Sequence, residues 1–124
     1  MLITPELELT YSLAAHLPLF HFQEQTATLE RCAVENFPVA MFPSVRYVTG
    51  RVRCLPGDVI AMSTDGLTEV FNRAGEEIGY THIEAALIKS AGRPLDEIAS
   101  QILKSASSFG KITDDRTLLL IRRL

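Results

Sequence analysis

Tryptophan is absent from this 124-residue chain, and cysteine occurs only at Cys32 and Cys54. The two thiols form no Cys-x-x-Cys pair and nothing in their spacing calls for a disulfide, so two reduced, mostly buried thiols are expected. His16, His21 and the cysteines also lack zinc-ligand spacing. No apolar run approaches the roughly 20 residues that a spanning helix needs. The start, Met1-Leu2-Ile3-Thr4-Pro5-Glu6, carries no basic segment followed by a hydrophobic one, so no secretory leader is read there. Charge of one sign is not in excess: the net charge of −3 gives no reason to expect nucleic acid or an anionic membrane as partner. Nucleotide-binding patterns of the G-x-x-x-x-G-K-[ST] and G-x-G-x-x-G kinds are missing, as is the G-x-S-x-G elbow of serine hydrolases. Internal repeats, low-complexity tracts and linkers are missing too. What remains is 47% hydrophobic and 22% charged, an ordinary composition that predicts one cytoplasmic domain with one core.

The chain divides into a strand-rich half and a helical half. Leu7, Leu9, Tyr11 and Leu13 alternate with Glu8, Thr10 and Ser12, the period of a half-buried strand. Leu17 to Phe22 is a second strand with Pro18 at its beginning or on an edge, and Ala27 to Cys32 pairs back on it across Gln23-Glu24-Gln25. Residues 37–43, bracketed by prolines, are expected to form an irregular apolar loop over the core. Tyr47 to Leu55 reads as a strand with Arg46, Arg51 and Arg53 on its wet side. That side could also attract a phosphorylated partner. Leu55-Pro56-Gly57-Asp58 is a turn into a buried strand at 58–63.

Beyond it, Leu67 to Phe71 suggests a short helix. Thr81 and Glu84 have capping-box spacing, ahead of a helix burying Ile83, Ala86, Leu87 and Ser90, with Gly92 as the stop. Pro94 starts a last helix with Asp96 and Glu97 in its first turn and Leu95, Ile98, Ile102 and Ala106 as its apolar stripe. Thr117 to Arg122 returns as a strand, with Arg122-Arg123 as its solvated end. The fold class is α+β, an antiparallel sheet with helices.

Two acidic sites stand at the mouths of two apolar strands. Asp65 follows the buried run 58–63 and precedes Gly66, and Asp114-Asp115 precedes Leu118-Leu119-Leu120-Ile121. Mg²⁺ and Mn²⁺ take oxygen ligands, and a carboxylate at a strand end is rigidly aimed, with a glycine beside it letting backbone or substrate come close. The plainer readings stand beside that one: Asp65 as a cap of the helix at 67, and Asp114-Asp115 as a solvated turn. His21 and His82 read as ordinary residues of a strand face and of a helix's first turn.

The order of these motifs resembles the SpoIIE-like bacterial serine phosphatases, within the metal-dependent type 2C (PPM) protein phosphatase superfamily. Residues 55–69, ending Ser-Thr-Asp-Gly-Leu-Thr-Glu, look like that family's central "DG" motif. Asn72 to Gly79 resembles its polar loop and "G-x-x-[FI]-G" helix entry, and residues 113–123 are similar to its terminal "DD-x-T" strand. Tyr11 to Leu19 looks like the "N-A-G-H-P-P" element with Ala15 in place of the glycine. Phe37-Pro38-Val39-Ala40-Met41 stands where the family has a "P-L-G" turn, again without the glycine. The resemblance implies a β-sandwich with flanking helices and a centre of two Mn²⁺ or Mg²⁺ ions. It also implies removal of phosphate from phosphoserine or phosphothreonine on an anti-anti-sigma-factor-like regulatory protein. Asp65 and Asp114 are the implied metal ligands, with Asp115, Gly66 and His16 beside them in a supporting position.

The family's "G-G-D" and "D-x-x-G-H/K-G" segments have no counterpart ahead of Tyr11. Residues 1–124 are therefore expected to be one incomplete phosphatase-like domain, its C-terminal part. Without the bridging carboxylate two cations repel each other, so the chain alone is expected to hold metal poorly and to be weak or inactive. The other reading is a non-catalytic regulatory or binding module on the same scaffold. Uncovered sheet edges predict a homo-oligomer.

Overall fold

The computed structural model describes residues 1–3 and 8–124; the strand start expected at Leu7 lies outside them. Two antiparallel sheets form. The smaller is ordered β1 (Leu2–Ile3), β2 (Glu8–Tyr11), β5 (Gly50–Arg53). The larger is ordered β4 (Thr28–Cys32), β3 (Leu19–Gln23), β6 (Val59–Ser63), β7 (Leu118–Arg122), and carries α1 (Thr81–Ile88) and α2 (Leu95–Phe109).

Strand alternation separates two cores. On β3 and β6, Phe20, Phe22, Val59 and Ala61 meet Ile83, Ala86, Leu87, Ile98, Ile102 and Ala106 of the helices. Their neighbours Leu19 and Ile60 join Leu9, Tyr11, Leu13, Cys32 and Cys54 in the core that contains the small sheet's residues. A central strand buried on both faces reads as a continuous apolar run, as 59–63 does. Both cysteines are free and buried, and burial pushes the Cys32 thiol up to about 11, so it stays protonated at neutral pH. No helix among the described residues is long and apolar enough to cross a membrane.

Several expectations need correction. Of the two readings of Pro18, the beginning of a strand holds and the edge does not: it lies immediately ahead of β3, which is central. Of the strand read at 47–55, only Gly50–Arg53 makes a ladder, with Arg51 and Arg53 exposed as expected. The helix expected at 67–71 is a single 3-10 turn, Asp65–Leu67. Asn72 stops it: its side-chain oxygen accepts the Ala74 and Glu76 amides and its backbone NH bonds Glu76 O. That turn folds Phe71 into a bridge with Glu77.

The capping box does not form either. Tyr80 is the N-cap, without a side-chain bond, and Glu84 turns instead to Arg31, whose guanidinium also lies 4.9 Å from the centre of the Tyr80 ring. Arg122 is not a solvated end: its guanidinium donates to Arg93 O and Ser90 O, tying the α1–α2 connection to β7. Finally, the 37–43 loop does not cover the core. Phe37, Val39, Met41 and Phe42 are all exposed.

The two alanines that stand in place of family glycines both have left-handed backbones, Ala15 at φ 50° and Ala40 at φ 65°. A Cβ there costs roughly 1–2 kcal/mol. Ala40→Gly and Ala15→Gly are therefore expected to be neutral to stabilising by up to about 1 kcal/mol, despite glycine's extra unfolded-state entropy. Urea midpoints check this, and a loss above about 1 kcal/mol at both positions contradicts it.

Candidate functional site

The β6–β7 register builds the site. Ser63 pairs with Leu118 across an antiparallel ladder, so the end of β6 and the start of β7 reach the same edge of the sheet. Residues 51 and 53 positions apart in sequence therefore become neighbours in space. The ladder continues one step past the strands, where the Thr64 amide donates to Thr117 O at 3.0 Å. The Thr64 hydroxyl then clasps both segments: its oxygen accepts the Thr117 amide at 2.9 Å, and it donates to Asp115 O at 3.3 Å.

Asp65, Gly66, Glu69, Phe71, Thr113 and Asp114 line one cleft of about 150 Å³. Asp65 and Asp114 are both exposed at its mouth. The cap reading for Asp65 does not hold, since the 3-10 turn begins without a side-chain cap. Asp114 Oδ1 accepts the Asp115 amide at 2.7 Å, which shapes a tight turn. Gly66 is held by space rather than by φ. A Cβ on it would lie 2.1 Å from Asp115 O, so the glycine admits the backbone of the second acidic segment. Asp115 meets this site through its main chain.

His16 is not among the residues lining the cleft. It is exposed, with Nδ1 2.8 Å from its neighbour's carbonyl, Leu17 O. Glu69 and Phe71 line the cleft without having been singled out in the sequence. Glu69 carried a signal, because it lies four residues after Asp65, within reach once the chain turns helically between them. His82 is half-buried in the first turn of α1, and neither ring nitrogen has a well-formed hydrogen bond to a partner among the described residues. Burial holds its pKa below the usual histidine range, against a smaller opposing effect of the Gly79 backbone.

The cleft's donors are all oxygen, the right chemistry for a hard divalent cation. Their number falls short: among the described residues no group of three or more His, Cys, Asp and Glu side chains is placed to hold a metal ion.

Two sheets packed face to face with helices on one side, and an acidic cleft where two strands end together, define the fold of PP2C-type serine/threonine phosphatase domains. Solved structures bear the fold out. The SiaA PP2C domain of Pseudomonas aeruginosa superposes with a TM-score of 0.72 at 21% identity, covering 94% of this chain and 46% of that one. The PP2C phosphatase domain of Bacillus subtilis SpoIIE, with a fragment of its regulatory domain, gives 0.74 at 17% identity over 94% and 34%. A structure of RsbU and RsbW domains from Mycobacterium tuberculosis gives 0.73 at 25% identity over 96% and 33%. The chain thus spans between a third and a half of the length of these structures. A search of curated protein sequences returned no match. The model of the stage II sporulation protein E (SpoIIE) family matches residues 2–124, and the chain belongs to that family.

Proposed function

We propose that this chain is the C-terminal part of a metal-dependent protein phosphatase domain and supplies two carboxylates, Asp65 and Asp114, to its Mn²⁺ or Mg²⁺ centre. One observation carries the reading: the carboxylates come from distant parts of the sequence and line one cleft, with Thr64 bonding across the two segments. PPM phosphatases generally use Mn²⁺ or Mg²⁺, and such ions, when bound, activate a water for attack on phosphorus. The residues of this chain orient and concentrate negative charge at one edge of the cleft, and the remaining ligands come from outside these 124 residues. The substrate in this reading is phosphoserine or phosphothreonine on a regulatory protein of the anti-anti-sigma-factor kind, and its setting is the cytoplasm.

The test is Mn²⁺-dependent release of phosphate from a phosphoserine peptide by the full-length gene product. Activity is expected to fall at least ~10²-fold in Asp65→Asn and in Asp114→Asn, with thermal melting little changed because both side chains are exposed. A wild-type protein without activity overturns the reading. The incomplete ligand set among the described residues favours a second one, a non-catalytic regulatory module on the same scaffold. That reading predicts no Mn²⁺-dependent change in melting temperature for the full-length product.

A further inference from the structure

We propose that Thr64 is a positioning residue: its hydroxyl, bonded to two residues of the second acidic segment, sets where the Asp114 carboxylate stands relative to Asp65, a role that rests on the metal reading of the cleft given above. The two carboxylates differ in what fixes them. Asp65 follows β6 closely and opens the 3-10 turn, where its carbonyl accepts the Thr68 and Glu69 amides at 2.9 and 2.7 Å. Regular structure therefore holds its main chain from both ends. Asp114 has no such support, because residues 110–117 belong to no helix or strand.

Thr64 supplies what that segment lacks. Its oxygen accepts the Thr117 amide at 2.9 Å while its hydroxyl donates to Asp115 O at 3.3 Å, so one side chain grips the residues on either side of Arg116. The effect reaches Asp114 through Asp115, whose carbonyl is held by Thr64 and whose amide is held by Asp114 Oδ1 at 2.7 Å. A shift of the Asp115 main chain therefore turns the carboxylate. Gly66 limits movement in the other direction, since Asp115 O lies 2.1 Å from where a Cβ on it would stand. The segment cannot come closer, and the hydroxyl keeps it from drifting away. A further tether, Arg116 Nη1 to Ser107 Oγ at 2.9 Å, runs through a long exposed side chain to α2 and does not set the distance to Asp65.

The task needs a group that donates and accepts at once from a short, stiff stem, and a hydroxyl on a branched side chain is that group. Thr64 is half-buried, and Asp115 and Thr117 are exposed. Water can therefore satisfy the freed Thr117 amide and Asp115 carbonyl once the hydroxyl is gone, but it imposes no position on them. Removing the hydroxyl costs placement more than stability. Groups that orient metal ligands in this way are worth about 10–100-fold in metal affinity.

Two variants of the full-length gene product test this: Thr64→Val, which keeps the branched shape without the hydroxyl, and Thr64→Ser, which keeps the hydroxyl. The readouts are Mn²⁺ affinity by titration calorimetry, hydrogen exchange of the Thr117 amide without metal, and the melting temperature of the metal-free protein. Thr64→Val should weaken Mn²⁺ binding at least ~10-fold and speed Thr117 exchange at least ~10-fold. Its melting temperature should fall by no more than about 3 °C. Thr64→Ser should stay within about 3-fold of wild type in affinity and exchange, because the hydroxyl is retained. Unchanged Mn²⁺ affinity in Thr64→Val, or a Thr64→Ser variant no better than it, overturns the positioning role and leaves the proposed function standing. Weakened affinity with Thr117 exchange unchanged also overturns it, since the effect then bypasses the hydroxyl's bonds. A wild-type protein that binds no Mn²⁺ overturns the proposed function and this role together.

Discussion

Asp58→Ala is expected to lower the stability of the fold by about 3–5 kcal/mol, the cost of removing one partner from a buried polar pair. Asp58 is 2% exposed and collects three donors. Its Oδ2 lies 2.8 Å from His21 Nε2 and accepts the Leu55 amide at 2.9 Å, while Oδ1 accepts the Glu24 amide at 3.1 Å. Its backbone carbonyl takes the Arg123 amide as well. One side chain therefore fastens the 55–58 turn, the end of β3 and a histidine facing the small sheet, next to a main-chain bond to the end of β7. Truncation leaves three donors in place with water largely excluded, and each loses the partner it was desolvated for. Domains of this size have about 5–15 kcal/mol in total, so the variant should be partly unfolded at physiological temperature. Asp58→Asn should cost less, about 1–3 kcal/mol, because one of its two positions then offers a donor to a donor. Urea denaturation decides: a midpoint within error of wild type for Asp58→Ala contradicts the hub.

Gly66→Ala is expected to separate the two carboxylates. The added methyl would lie 2.1 Å from Asp115 O and 2.9 Å from Asp115 C. Both are main-chain atoms, so relief requires the 113–116 segment to move and the Thr64–Thr117 bond to lengthen. Overpacking of this kind costs about 1–3 kcal/mol. The larger effect falls on the cleft, where a displacement on the order of 1 Å lowers a position-dependent activity about 10²-fold. In the full-length product the Mn²⁺-dependent activity should drop that far while the fold persists. Retention of full activity would mean that the 113–116 segment is not positioned by contact with Gly66.

Much of the fold could be read locally. The 59–63 run, the alternation at 9–13, the β3–β4 hairpin and the Ile98, Ile102, Ala106 stripe all follow from short-range periodicity, because burial is set by which way successive side chains point. The motif order likewise led to Asp65 and Asp114 before any geometry. Three of the misreadings share one cause, which is competition from distant groups. Thr81 and Glu84 have the right spacing for a capping box, but Arg31, 53 residues upstream in sequence, takes the Glu84 carboxylate. Arg122 looks like a polar strand end until the α1–α2 connection presents it with two carbonyls. His21 looks like any strand histidine until the turn at 58 brings it a carboxylate.

The sequence by itself determined most of the elements, the α+β class, the family and the two acidic positions, since each rests on the identity and spacing of neighbouring residues. Only the tertiary structure decided that the two acidic positions share a cleft, that Gly66 is needed for a carbonyl to approach, and that the 37–42 loop faces outward. Strand register, main-chain clearance and solvent exposure belong to pairs of segments far apart in the chain, and local spacing carries no record of them.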